Sequence, residues 1–410
     1  STTHSSTHDF TRPATIKKAS TQRRMSADRS AMVSPQEGTN RRAQPKRKVP
    51  SKGTEPPSKF ENPDEKGVKS GQTKKGGKTK EEENKTAWSK KTLTLSCKTL
   101  SEEFNNKIKK FIDPKCSTIR SVAKEDKNRY ADVLCLDDTR VVLKGRKVDD
   151  DYIHANWFKN PDGSKFICTQ GPLPETIEDF WLMVFKEKAN IVIMLCQFVE
   201  VDNEKCAKYF PTEQEESLTF GAFQIKNLND ISSKVSVEGC KGCLLEITFN
   251  KKEKHRVRHA LMTSWPDQCA PLTSANVLSL WRWQKKNSVK GTPIVIHCSA
   301  GVGRTATFAA IELAAARIGK DANLSLMEVV KEMRSMRYQA VQSYVQYLFL
   351  HLIMLDLFIS EKIIPPYDDN GKFIKDYKKL ASRKMTKMAK KDANAATGGK
   401  KVSMVEDVPP

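Results

Sequence analysis

Residues 295–306 read VIHCSAGVGRTA. The stretch opens inside the apolar run PIVIHC (293–298), which predicts a buried strand. It closes inside GRTATFAAIELAAARI (303–318), which predicts an alanine-rich helix with small residues on its packing side. Between them Ser299, Ala300, Gly301, Val302 and Gly303 are small enough for the backbone to curl. Successive N–H groups then point inward as an anion-binding nest. The start of the helix adds its partial positive charge. Arg304 offers a planar fork for two phosphate oxygens. Cys298 lies at the floor of this cradle, where the same donors stabilise a thiolate, with His297 expected to assist. Taken alone, the stretch also fits a buried cysteine in a tight glycine turn. It does not fit a nucleotide loop, because the lysine and the first glycine of GxxxxGK[ST] are missing.

A thiolate attacking a phosphate ester needs a proton donor for the leaving oxygen. SWPDQCAP (264–271) supplies Asp267 just after a predicted strand, with Pro266 and Pro271 stiffening the loop and Trp265 anchoring it. Hydrolysis of a phosphocysteine then needs a positioned water. In AVQSYVQY (340–347), Gln342 and Gln346 are four apart and on a helix would share a face. Thr305 can donate a hydrogen bond to the departing thiolate. No set of His and carboxylates has ligand spacing, so no metal or other cofactor is expected. The CxxC of Cys240 and Cys243 has no second pair and reads as a turn between strands.

The chain has 410 residues, with 71 Lys+Arg against 49 Asp+Glu and a net charge of +22. Half of that excess lies in residues 1–90, which hold 21 basic and 10 acidic groups. Residues 1–92 show almost no apolar periodicity and read as a disordered basic tail. Residues 363–410 read as a second basic, largely disordered tail. RRAQPKRKVP (41–50) resembles a nuclear-import or polyanion-binding patch, and YKKLASRKMTKMAKK (377–391) a basic amphipathic helix for an acidic partner. The ten cysteines are scattered through apolar surroundings, which favours free thiols in a reducing, cytoplasmic compartment, with the basic patch adding a nuclear option. No run reaches transmembrane length; YLFLHLIMLDLFI (347–359), interrupted by His351 and Asp356, reads as a core helix. Nothing reads as a signal peptide.

Between the tails strands and helices alternate. ETIEDFWLMVFKEK (175–188), ANVLSLWRWQKK (275–286), SLMEVVKEMRSMR (325–337) and SYVQYLFLHLIML (343–355) read as helices. NIVIMLC (190–196) and RVRHALMTSW (256–265) read as strands. The pattern predicts an α/β domain over 93–362, a twisted mixed sheet flanked by helices.

HCSAGVGRT resembles the HCx5R[ST] signature of the cysteine-based protein tyrosine phosphatases, in their large tyrosine-specific, non-receptor class. WPD resembles that family's general-acid loop. KNRYADVLCLDDTRV (127–141) resembles its phosphotyrosine-recognition segment, FICTQGPLPETIEDFW (166–181) the segment beside it, and EKCAKYFP (204–211) its lysine-bearing loop. Together these matches span roughly 97–360 in the family's order. The resemblance implies Cys298 as nucleophile, Arg304 as phosphate clamp, Asp267 as acid and then base, and Gln342 as positioner of water. It implies Glu200 as the carboxylate that orients Arg304, and Lys205 beside the site. Tyr130 would flank the substrate ring and Asp132 bind substrate main chain, so the expected partners are phosphotyrosine-containing proteins. Three departures stand out: Gln339 where the family has glycine, Gln268-Cys269 after WPD, and His154 with Asn156 in DYIHANW. Gln339 should narrow the pocket mouth. With Gln268-Cys269 it motivates an alternative, a phosphotyrosine-binding protein with little turnover.

Overall fold

The computed structural model describes residues 77–368 and 371–396. The patch at 41–50 lies outside them. The strands, in chain order, are β1 (Arg140–Val142), β2 (Tyr152–Lys159), β3 (Lys165–Thr169), β4 (Ile191–Met194), β5 (Val199–Glu200), β6 (Asn203–Glu204), β7 (Ser217–Phe220), β8 (Phe223–Asp230), β9 (Cys240–Phe249), β10 (Glu253–Met262) and β11 (Ile294–His297). The helices are α1 (Lys80–Thr94), α2 (Cys97–Glu103), α3 (Ile119–Ala123), α4 (Ile177–Lys186), α5 (Ser232–Val235), α6 (Ala275–Asn287), α7 (Arg304–Lys320), α8 (Leu326–Arg334), α9 (Tyr344–Ser360) and α10 (Lys372–Ala396).

Nine strands form one mixed sheet in the order β1-β2-β3-β11-β4-β10-β9-β8-β7, and β5 and β6 pair separately as a small hairpin. The central neighbours β3, β11, β4 and β10 run parallel. The outer pairs are antiparallel. A parallel centre must be covered on both faces, which is why β4 is apolar throughout, β11 is apolar up to its closing His297, and both are buried without alternation. β11 sits between β3 and β4, with Ile296 opposite both Cys168 and Ile193. Its carboxyl end therefore opens into the crevice between two neighbouring loops, the usual place for a ligand in such sheets. α9 is buried nearly all round, as a core helix should be. Among the described residues no helix is long and apolar enough to cross a membrane.

Three expectations are corrected. The disordered reading of 1–92 fails for its last segment. Thr79 and Glu82 close a reciprocal cap on α1. Trp88 is buried and donates to the Leu324 carbonyl at 3.0 Å, and Asn84 donates to the Gly319 carbonyl at 2.9 Å. The disordered reading of 363–410 fails for α10, whose Phe373, Ile374, Tyr377 and Ala381 are fully buried. Burying side chains such as Phe373 and Ile374 contributes about 1.5–3 kcal/mol each, enough to hold a lysine-rich helix on the domain. The third concerns Cys240 and Cys243, which lie in strand β9 rather than in a turn; burial pushes both thiols up to about 12. Among the described residues no His, Cys, Asp and Glu group has metal-binding geometry.

Candidate active site

Cys298 follows the last residue of β11, 3% exposed, and its Sγ accepts the Gly301 N–H at 3.2 Å. Gly301 sits at φ +71°, and a Cβ there would lie 2.1 Å from the Thr169 carbonyl oxygen. Only glycine lets the loop turn this tightly against β3. Gly171 is similarly constrained, since its Cβ would stand 2.8 Å from the Cys298 carbonyl oxygen.

The loop is held from behind by Arg337, which the sequence reading did not single out. Its Nε donates to the Gly301 carbonyl and its Nη2 to the Ala300 carbonyl, both at 3.1 Å. Nη1 donates to Asn156 Oδ1 at 2.7 Å, and Nη2 to His154 Nδ1 at 3.0 Å. Burial first, then the Arg337 charge, pushes His154 down to about 3. It is therefore neutral, so its Nε2 donates to the Val133 carbonyl at 2.8 Å while Nδ1 accepts. The two departures in DYIHANW thus serve as the acceptors that satisfy a buried arginine. The visible signal was the arginine at the head of RYQAVQ.

Arg304 opens α7 and is 1% exposed. Its Nη1 and Nη2 meet Glu200 Oε1 and Oε2 at 2.6 and 3.2 Å, a bidentate pair. Nη1 also donates to the Trp265 carbonyl at 3.0 Å, and Nη2 to Asp267 Oδ1 at 3.1 Å. Asp267 Oδ2 accepts from Lys205 Nζ at 2.8 Å. Burial alone would raise the Asp267 carboxyl, but the Arg304 charge and the Lys205 hydrogen bond outweigh it and hold the group below the usual carboxylate range. Arg304 Nε and Thr305 Oγ1 are buried and have no hydrogen-bond partner among the described residues. A buried donor without a partner is costly, so both groups could donate to a bound anion.

Tyr130 donates to Ser299 Oγ at 2.8 Å, and Ser299 donates in turn to the Lys205 carbonyl at 2.9 Å. Asp132 is exposed beside it, and its carbonyl accepts from Gln339 Nε2 at 3.1 Å. Gln342 and Gln346 do not share a helix face, because α9 begins only at Tyr344. Ser343 caps it, and Gln346 Oε1 accepts from the Gln342 N–H at 3.1 Å. Both amides nevertheless converge on Gly303, whose Cβ would lie 2.9 Å from Gln346 Nε2 and 3.3 Å from Gln342 Oε1. Val302 anchors this segment by accepting the Val341 N–H at 2.9 Å. Trp265 is buried and donates to the Cys269 carbonyl at 3.1 Å, closing the turn that carries Asp267.

His297 is placed differently from expectation. Its ring is fully buried, with Nε2 2.7 Å from the Tyr209 hydroxyl, which also meets His259 Nε2 at 2.6 Å. Burial is the main cause that pushes His297 down to about 4. A neutral ring in the core cannot stabilise the thiolate as a cation. It instead donates from Nδ1 to the Cys298 carbonyl at 3.1 Å and so fixes the backbone at Cys298.

The sequence model of a family described as protein-tyrosine phosphatase matches residues 124–356, more than half of the chain. The chain belongs to the protein-tyrosine phosphatase family. Its relatives include the mouse tyrosine-protein phosphatase non-receptor type 9, 34% identical over 261 residues, covering 58% of this chain and 43% of that protein. The human tyrosine-protein phosphatase non-receptor type 7 is 34% identical over 279 residues, covering 65% of this chain and 73% of that protein. The chain thus spans less than half the length of the type 9 phosphatases that it matches. Among solved structures, the catalytic domain of human protein tyrosine phosphatase non-receptor type 18 superposes with a TM-score of 0.55 at 30% identity, covering 68% of this chain and 99% of that one. A type 18 structure in complex with HER2 phosphopeptides superposes at 0.53 with 32% identity, covering 59% of this chain and 92% of that one. The mixed sheet flanked by helices is the architecture of these phosphatase domains.

Proposed function

We propose that the chain hydrolyses phosphotyrosine in proteins through a covalent phosphocysteine. The Cys298 thiolate attacks phosphorus, and the bond to the tyrosyl oxygen breaks. Asp267, protonated, gives its proton to that oxygen. The Arg304 fork and the loop N–H groups of residues 299–303 hold the phosphoryl oxygens as charge builds. Gln342, with Gln346 beside it, then orients a water. Asp267, now a carboxylate, takes a proton from the water as oxygen attacks phosphorus and the S–P bond breaks. The thiolate leaves against the Thr305 hydroxyl. Phosphate departs and the site returns to its starting state.

The observation that carries this reading is the pair of buried, unpartnered donors, Arg304 Nε and Thr305 Oγ1, on the two residues that follow the Cys298 loop. Tyr130 walls the pocket, so a ring-length side chain reaches Cys298 and a phosphoserine falls short. The type 18 complex with phosphopeptides supports phosphotyrosyl proteins as the substrate class. A cytoplasmic setting is part of the proposal, supported by the ten unbridged cysteines.

The test is phosphate release from a phosphotyrosyl peptide in chelator. Turnover should be metal-independent, blocked by vanadate and absent in Cys298→Ser; turnover that survives the substitution sinks the mechanism. A second reading, binding with little turnover, is favoured by one contact, the ion pair that engages Asp267 with Arg304. Steady-state kinetics on one peptide separates the two.

A further inference from the structure

α10 lies antiparallel along α9. The Phe373 ring is 6.3 Å from His351, and the Tyr377 ring stacks on Phe349 at 6.2 Å. Rising numbers in α10 therefore track falling numbers in α9, toward Tyr344. From Phe349 to Tyr344 only about 7.5 Å of α9 remains, whereas α10 runs on from Tyr377 to Ala396 for about 28 Å. The second half of α10 must pass beyond the start of α9. That start belongs to the active site. Ser343 donates to the Gln268 carbonyl of the Asp267 loop at 3.4 Å, and Gln342 and Gln346 converge on Gly303. Tyr377 itself donates to the carbonyl of Pro271, at the far end of that loop.

The character of α10 changes along the same course. Its inner face buries Phe373, Tyr377 and Ala381. Seven residues beyond Tyr377 the same face carries Lys384, half-buried, and the next turn carries Lys387, exposed. The Lys387 charge is felt at Tyr344, where it opposes the rise that burial imposes on the hydroxyl. From Lys372 to Lys390 the single acidic residue is Asp376.

We propose that this half of α10 is a basic shelf at the edge of the catalytic mouth, and that Lys384, Lys387 and Lys390 bind acidic side chains flanking the substrate phosphotyrosine. The proposal rests on the phosphatase reading of the Cys298 site. The substrate is the anion that must arrive at this edge: its phosphate is drawn to Cys298, and the residues on either side of it cross the mouth. Charge complementarity then favours Asp and Glu at those positions.

The test uses the full chain and three substrates: a phosphotyrosyl peptide flanked by Asp and Glu, the same peptide flanked by Ala, and p-nitrophenyl phosphate. Changing Lys384→Gln, Lys387→Gln and Lys390→Gln together should raise KM for the acidic peptide about five- to tenfold with kcat unchanged. The other two substrates should keep their constants. Charge reversal to Glu at the same positions should widen the gap, and added salt should erode the preference of the unmodified chain. Equal shifts for both peptides, or none, overturn the shelf. So does loss of binding to phosphatidylserine vesicles or RNA with peptide selectivity intact, which reassigns the lysines to a lipid or nucleic-acid surface. If the unmodified chain turns over none of the three, the phosphatase reading has failed. Calorimetric binding of the two peptides to Cys298→Ser chains, with and without the lysine changes, then decides the shelf alone.

Discussion

Arg304 Nη2 donates to Asp267 Oδ1 at 3.1 Å, so the residues proposed as phosphate clamp and proton donor are bonded to each other. An acid held below the usual carboxylate range is a poor donor at neutral pH. In the proposed mechanism a phosphate dianion would change this by engaging Arg304 and offsetting its charge. Asp267 would then regain its proton as the substrate arrives.

Lys205 shares in that depression through its 2.8 Å bond to Asp267 Oδ2. Lys205→Ala removes a cation that favours the charged form, so the Asp267 carboxyl should titrate at higher pH. The protonated acid then persists further into the alkaline range. The expected outcome is a shift of the alkaline limb of the kcat/KM profile to higher pH; a shift to lower pH would contradict the assignment. The same depression stabilises the fold above the ordinary carboxylate pKa and is lost as pH falls through the folded value, so Lys205→Ala should cost stability at neutral pH and little in strong acid.

Gly301→Ala places a Cβ 2.1 Å from the Thr169 carbonyl oxygen on a backbone at φ +71°. The strain alone costs about 1–3 kcal/mol, and its relief would move the N–H that contacts Cys298 Sγ. Calorimetry should show a lower Tm, and kcat should fall at least tenfold. An unchanged Tm would mean that the loop is looser than the contacts with β3 allow.

Gln339 has φ +54° and bridges to the Asp132 carbonyl, beside the proposed pocket. Gln339→Gly suits that backbone and removes the bridge. KM for phosphopeptides should fall several-fold while p-nitrophenyl phosphate keeps its constants. A change for the small substrate alone would place Gln339 in the chemistry rather than at the entrance.

Val201 turns the β5–β6 hairpin at φ +49°, a region that a β-branched residue occupies at a cost. The hairpin carries Glu200, the partner of Arg304. Val201→Gly should raise stability by about 1 kcal/mol in denaturant titrations. Loss of stability would show that the exposed valine has contacts that offset its backbone.

The sequence made the sheet centre legible because continuous apolar runs such as PIVIHC need burial on both faces. It misled where polar surfaces pack. α1 docks Asn84, Lys85, Ser89 and Thr92 along with Trp88, so almost no apolar period marks its buried side. α10 does carry a stripe, Phe373, Ile374, Tyr377 and Ala381, but lysines surround it. Adjacency to Cys298 suggests a place for His297 in the cradle. Successive residues of a strand point to opposite faces, so a histidine next to Cys298 belongs to the core behind it. Spacing alone puts Gln342 on a helix, because it cannot reveal the positive φ at Gln339 and Val341 that precedes the start of α9 at Tyr344.

The Tyr377 hydroxyl bonds the Pro271 carbonyl, and the ring stacks on Phe349, which meets Trp265 edge-on at 5.3 Å. The family pattern ends at residue 356, before α10 begins. A chain cut at that boundary keeps Cys298, Arg304 and Asp267 and strips the outer wall from the loop that carries Asp267. The unit of heredity recognisable in this sequence is thus shorter than the unit of mechanics, and a truncated enzyme would measure the first while being mistaken for the second.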